Sequence, residues 1–278
     1  MTIRDSEPLL TIEHLVVDYR GRRRSLPVRA SDDVSLSIEA GETLGLVGES
    51  GSGKSTIGNA VLGFTPVSGG RIAFAGEDIT QVGAARRRQL TKDIQVIFQN
   101  PYASLNPALT IGQTLSEPLR AHGIATDAAD RRARIERWLD VVGLPAAAAQ
   151  KYPSDFSGGQ RQRIAIARAL LVEPRLVVCD EAVSALDLSI QAQILNLLAE
   201  LQQRTGVSYL FITHDLAVVE HVAHRLAVLH YGRVVESGAT ADVLASPQND
   251  YTRNLLDAVP SPDPVVQRAR RSRKTLLR

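Results

Sequence analysis

The chain has 278 residues, 44% of them apolar and 22% charged, enough to bury a sizeable core as one large domain or as a domain with a subdomain. Acids and bases nearly balance at a formal net charge of +2, and the excess sits in the last residues, Arg268, Arg270, Arg271, Arg273, Lys274 and Arg278, so no chain-wide basic character points to nucleic acid. The single cysteine, Cys179, excludes an internal disulfide and a zinc-type cysteine cluster.

Residues 1–7 lack the apolar core of a signal peptide, and no stretch approaches the roughly 20 apolar residues of a membrane span. A cytoplasmic chain is expected, with any membrane role passing through a partner. Leu9–Asp18 alternates weakly and is rich in Ile, Leu and Val, which predicts a strand; Arg20–Arg24 is a charged turn, and a second strand is expected near Val34–Ile38. Tyr19, between them, could stack on an adenine base or fill a core. Arg71–Phe74 is a short strand closed by Gly76, and these small strands suggest a separate antiparallel sheet.

The apolar run Leu44-Gly45-Leu46-Val47 leads into Gly48-Glu49-Ser50-Gly51-Ser52-Gly53-Lys54-Ser55-Thr56, followed by a helix-compatible segment over Ile57–Leu62. Glycines at 48, 51 and 53 let the backbone turn tightly with N–H groups inward, and the following helix adds its positive N-terminal dipole. The stretch therefore reads as a polyphosphate cradle, with Lys54 reaching the β- and γ-phosphates and the Ser55 hydroxyl a bound Mg²⁺.

Ile94–Phe98 is an apolar strand candidate that delivers Gln99 to its C-terminal edge, where Pro101 stops regular pairing. Ligands of open α/β sheets bind at that edge, so Gln99 is a candidate Mg²⁺ or water ligand. Residues 111–150 read as helical, with Ile135, Trp138, Leu139 and Val142 at helical spacing. Phe156-Ser157-Gly158-Gly159-Gln160-Arg161-Gln162-Arg163 precedes an Ala-rich helix and offers a second glycine-rich helix start, with Ser157 as a local N-cap.

Leu176–Glu181 is an apolar run ending in two carboxylates, the form of a buried parallel strand that carries charge to its tip. Asp180 is a candidate for the magnesium shell, and Glu181 for catalysis beside the γ-phosphate. Val207–Ile212 ends in Thr213-His214-Asp215, placing His214 where it could donate to a γ-phosphate. His221 and His224 stand at i, i+3 with no third ligand. Tyr231-Gly232 is an expected hairpin turn, and a short helix follows over Thr240–Leu244, then Pro247, the stretch Tyr251–Val259 and the basic end.

In order, the phosphate loop, Gln99, Ser157 to Gln160, Asp180-Glu181, Ser184 to Asp187 and His214 together resemble the ATPase subunit of an ATP-binding cassette (ABC) transporter over almost the whole chain. Phe98 to Pro107, Phe156 to Arg163 and Asp180 to Asp187 are similar to the oligopeptide and dipeptide importer branch. Ser246 to Leu256 resembles that branch's C-terminal extension, although its usual His-Pro before the tyrosine is Asn249-Asp250 here. The cysteine cluster that one of the branch's two ATPase types carries in this extension is missing, so the chain resembles the cysteine-free partner type.

The resemblance implies an α/β P-loop core with a small antiparallel β subdomain and an inserted helical subdomain, about 100–171, within a domain of residues 1–240. An extension over 241–264 and a basic, disordered, dispensable tail over 265–278 would follow. It implies ATP and Mg²⁺, Tyr19 stacked on adenine, and Ser157, Gly158, Gly159 and Gln160 capping ATP on the opposite domain of a head-to-tail pair. It implies a second ABC ATPase subunit as partner (a related chain or a second copy), two transmembrane permease subunits, an extracellular solute-binding protein acting indirectly, and a place on the cytoplasmic face of the membrane. Asn100–Asn106 and the face of the helical subdomain around Trp138 are the expected coupling region, with Tyr102 and Leu105 either as apolar contacts to the permease or as fillers of the subdomain core. An exporter ATPase shares these motifs. A DNA-repair ATPase would need a coiled-coil insertion, a translation factor two cassettes, and a non-hydrolysing cassette would lack Glu181 or His214.

Overall fold

The fold was obtained as a computed structural model, which describes residues 7–19, 27–100 and 104–258. Strands β1 (Leu10–Tyr19), β2 (Val28–Ile38), β4 (Gly69–Phe74) and β5 (Glu77–Asp78) form an antiparallel sheet in the order β2-β1-β4-β5. Leu10, Ile12, Leu15 and Val17 bury one face of β1 with Val34 and Ile38 of β2 and Ile72 and Phe74 of β4. The small sheet expected from the sequence is thus present, closed over the first helix.

The second sheet has six strands in the order β10-β9-β3-β8-β7-β6, from β3 (Thr43–Val47), β6 (Ile94–Phe98), β7 (Leu176–Asp180), β8 (Ser208–Thr213), β9 (Arg225–His230) and β10 (Arg233–Ala239). β9-β3-β8-β7-β6 run parallel, and β10 returns antiparallel through Tyr231 (φ 46°) and Gly232 (φ 78°), the pair of positive φ values a tight hairpin requires. Every residue of β3 and β8 is buried, as strands covered on both faces must be. Alternation divides the sheet between two layers. Leu46, Val178 and Ile212 face α1 (Lys54–Leu62), while Val177, Cys179 and Phe211 face α5 (Gly158–Leu170) and α6 (Leu188–Thr205).

Ala84–Asp93 forms α2, a helix that the apolar pattern does not announce because Leu90 is its one buried residue. The helical layer is built from α3 (Ile111–Ala121), α4 (Ala128–Val141) and the start of α5. Leu105 (2% exposed) and Trp138 (8% exposed) belong to its core with Ile111, Leu115, Ile135 and Leu139. For Leu105 the core-filling alternative therefore holds: Leu105 and Trp138 both turn inward, α4 offering Ile135, Trp138 and Leu139, with Val142 just past its end, to its neighbours. Tyr102 lies outside the described residues, as does the basic tail. Leu105→Ala should therefore cost about 2–4 kcal/mol of unfolding free energy, measured by equilibrium urea denaturation. An unchanged midpoint would return Leu105 to the surface.

Between β8 and β9 lies α7 (Leu216–Val222), and after β10 come α8 (Thr240–Ala245) and α9 (Asp250–Ala258). Tyr251, Leu255 and Leu256 of α9 pack on Val47, Leu216, Val219 and Val228, so the C-terminal helix lies against the strand that leads into the phosphate loop.

Candidate active site at the sheet edge

Four parallel neighbours end on one edge in register: Val47 pairs with Thr213, Asp180 with Ile212, and Phe98 with Asp180. Whatever follows these strands is therefore delivered to one place. The phosphate loop, Gln99, Glu181 and His214 all follow them.

The loop's path requires glycine at two positions. A Cβ on Gly48 would stand 2.2 Å from the Leu229 carbonyl oxygen, and one on Gly53 2.1 Å from that of Ala30. Both have positive φ, 153° and 105°. α1 then starts at Lys54 with no side-chain cap and no acid in its first turn, so its backbone donors face the cradle. Lys54, 4% exposed, donates from Nζ to the carbonyls of Gly48 and Glu49, both at 2.7 Å. Burial lowers the pKa of its ammonium, against the opposing pull of Glu181, Asp180 and Glu49.

Ser55 Oγ donates to Asp180 Oδ1 at 2.8 Å. Burial raises the Asp180 carboxyl, Ser55 lowers it, Glu181 raises it and Lys54 lowers it. A hydroxyl beside one carboxylate suits Mg²⁺, a hard ion that keeps waters and binds phosphate oxygens rather than filling an all-protein cage. Consistent with that, no group of three or more His, Cys, Asp or Glu among the described residues could hold a metal alone. His221 and His224 are engaged separately, with Asn196 Oδ1 at 2.8 Å and the Thr43 N–H at 3.0 Å.

Glu181 adopts the left-handed backbone region (φ 49°), at a cost on the order of 1 kcal/mol for a non-glycine residue. Its N–H is held by the Ile212 carbonyl at 2.9 Å, and its Oε1 lies 3.2 Å from His214 Nδ1. Gln99 Nε2 donates to Ser184 Oγ at 3.1 Å, and that hydroxyl donates to the Glu181 carbonyl at 3.0 Å. Ser184 is thus a bridge between two strand tips; the sequence places it in the Ser184 to Asp187 motif but does not show that it joins Gln99 to Glu181.

Tyr19, Ser50, Gly51, Lys54, Ser55 and Glu181 line one cleft of about 290 Å³. Tyr19 is 43% exposed at its rim, its hydroxyl 3.3 Å from Thr56 Oγ1, so it is not a core residue. Ser157 to Gln160 are not among the cleft's lining residues. They form a capping box, Ser157 Oγ accepting from Gln160 N at 3.3 Å and Gln160 Oε1 from Ser157 N at 3.0 Å. A larger cleft of about 530 Å³ lies by α3 and α4, but its Arg131 is engaged with the Ala125 and Thr126 carbonyls and its Arg132 with Glu136, so it gathers no convergent chemistry.

Residues 31–184, more than half of the chain, match the family described as ABC transporter. Over 267 residues (94% of the chain) it is 48% identical to the oligopeptide transport ATP-binding protein OppD of Mycobacterium tuberculosis (strain ATCC 25618 / H37Rv), of which it covers 43%. Over 275 residues (97%) it is 49% identical to the glutathione import ATP-binding protein GsiA of Escherichia coli (strain K12), of which it covers 44%. The chain therefore spans less than half the length of these relatives. Among solved structures it is similar to a dimeric, post-hydrolysis state of the ATP-binding cassette MJ0796 bound to ADP and Pi (TM-score 0.75, 28% identity, 83% of this chain and 98% of that one). It is also similar to cbiO1 of Clostridium perfringens, part of the transporter complex cbiONQ (TM-score 0.76, 27% identity, 86% and 92%).

Proposed function

This chain belongs to the ABC transporter family, and on that premise we propose that it is the ATP-hydrolysing subunit of an importer for oligopeptides, dipeptides or a similar small solute. The observation that carries the reading is the convergence of Lys54, the Ser55–Asp180 pair and Glu181 on one cleft at the start of an uncapped helix. Lys54 and the loop N–H groups bind the phosphates, Ser55, Asp180 and Gln99 hold Mg²⁺, and Tyr19 stacks on the base. The ion, when bound, neutralises charge on the β- and γ-phosphate oxygens. Glu181 takes the proton of the attacking water, with His214 beside it and Gln99 sensing the γ-phosphate.

The position of Ser157 to Gln160 outside this cleft supports a head-to-tail pair, in which they cap the nucleotide of a second cassette; the dimeric cassette among the solved relatives agrees with it. The relatives named for oligopeptide transport and glutathione import favour import over export. No helix of the described residues is long and apolar enough to cross a membrane. Attachment through permease subunits on the cytoplasmic face of a membrane is supported by the relatives, which are named as transport and import ATP-binding proteins. The docking groove for those subunits is a second cleft, also of about 290 Å³, at the end of β6 just before Gln99, lined by Val96, Phe98, Ser104, Pro118 and Arg168, where Phe98 is 41% exposed.

The test is uptake of a labelled tripeptide and of labelled glutathione by cells lacking this chain, complemented with the parent or with Glu181→Gln. Restoration by the parent alone is expected for at least one solute. Unchanged uptake of both in the deletion strain, with either retained inside instead of expelled, would replace the importer by an exporter.

A further inference from the structure

The C-terminal helix reaches the phosphate loop through one side chain. Glu236 on β10 accepts the backbone N–H groups of Gln248 and Asn249 at 2.6 and 3.1 Å, and Asn249 Oδ1 accepts that of Tyr251 at 2.9 Å. Burial pushes the Glu236 carboxyl up, but the Thr252 hydroxyl, those two amides and the Arg253 charge more than reverse this and leave it below its ordinary value. A charged acceptor therefore fixes the turn that starts α9. From that turn Tyr251 stacks on His230 at a centroid distance of 3.8 Å and 21° between planes, and its hydroxyl accepts the Glu49 N–H at 3.1 Å.

That N–H belongs to the Gly48–Glu49 peptide, whose carbonyl accepts from Lys54 Nζ at 2.7 Å. One amide at the entrance of the loop is held on its N–H by the C-terminal helix and on its oxygen by the phosphate-binding lysine, and bonds made through a shared amide polarise and reinforce each other. A second tie, Gly232 N–H to the Ser52 carbonyl at 2.9 Å, fixes the same outer side of the loop. A peptide that loses the Tyr251 acceptor is free to rotate, and rotation takes the Gly48 carbonyl from Lys54.

We propose that Tyr251 is a positioning residue for the nucleotide site, acting through the Gly48–Glu49 peptide to keep Lys54 and the phosphate loop in their binding geometry. The C-terminal extension is on this account part of the ATP site, although it touches no phosphate. The identity of the ligand rests on the ATPase reading above; the clamp itself does not.

Tyr251→Phe in the full chain keeps the ring on His230 and removes only the acceptor. Hydrogen exchange resolved at the Glu49 amide should accelerate at least about tenfold, the loss of one protecting bond. The dissociation constant for a fluorescent ATP analogue should rise about three- to tenfold, KM by the same factor, and kcat should stay within about twofold. Unchanged exchange and affinity would overturn the clamp, and so would a fall in kcat at constant KM. A parent chain that binds no ATP would overturn the ATPase reading instead, leaving the Glu49 exchange rate to decide the clamp. If Tyr251→Phe folds poorly, Glu236→Gln, which weakens the anchor and leaves the tyrosine, should accelerate the same amide; its failure to do so would count equally against the proposal.

Discussion

Glu181→Gln should lower the rate of ATP hydrolysis by about 10²–10⁴-fold, the range set by loss of a positioned general base, while ATP affinity stays near that of the parent. The substitution keeps the side chain's shape and its capacity to meet His214 Nδ1, now 3.2 Å from Oε1. The backbone of residue 181 is set by strand pairing and by its N–H bond to the Ile212 carbonyl, neither of which involves the carboxylate. Lys54, Ser55 and Asp180 are untouched, so the groups that bind the phosphates remain. Removing a negative charge from the cleft should, if anything, tighten the hold on a polyanion. On the head-to-tail pairing proposed above, with hydrolysis reopening the pair, the variant should also accumulate as a closed dimer with ATP. Phosphate release, equilibrium titration and gel filtration with ATP measure the three effects. Turnover within tenfold of the parent would assign the base to another group.

The linear motifs foretold which residues gather at one sheet edge because parallel pairing turns sequence order into spatial coincidence. A strand read as apolar and ended by Asp180-Glu181, Gln99 or His214 needs only its neighbours in register to bring those ends together, and the pairing of Val47 with Thr213 and of Asp180 with Ile212 does so. Orientation was less legible. Trp138 belongs to an apolar stripe that the spacing shows, but Leu105 sits in a loop segment without periodicity, and its inward turn is a tertiary fact with no local signature. α2 escaped the apolar pattern because it buries Leu90 alone. The Ser184 bridge and the Tyr251 contact were hidden for a related reason: each joins segments distant in sequence, Gln99 with Ser184 and Glu49 with Tyr251, through a single polar atom. Tyr251 could be read as one apolar position of a short amphipathic helix, and nothing in its spacing distinguishes a ring that packs from a hydroxyl that holds a loop.

Lys54→Ala should raise the dissociation constant for ATP by about two orders of magnitude or more, from the loss of charged hydrogen bonds worth about 1.5–3 kcal/mol each. The effect has three sources in the structure. The ammonium is the cation facing Asp180 and Glu181 in the cleft, and its removal leaves two carboxylates opposed to the incoming phosphates. The carbonyls of Gly48 and Glu49, each 2.7 Å from Nζ, lose the donor that draws them together, so the loop's turn loosens. Lys54 itself is buried, 4% exposed, so water replaces the lost donor poorly. Lys54→Arg should not restore binding: the planar guanidinium cannot place one compact charge between the two carbonyls in that space. Affinity, rather than the chemical step alone, is the decisive quantity, because a charge on the phosphates acts in the ground state as well as the transition state. Equilibrium titration with ATP separates the two. An affinity unchanged in Lys54→Ala would remove the lysine from the phosphate site, and with it the cradle on which the roles of Ser55, Asp180 and Glu181 depend.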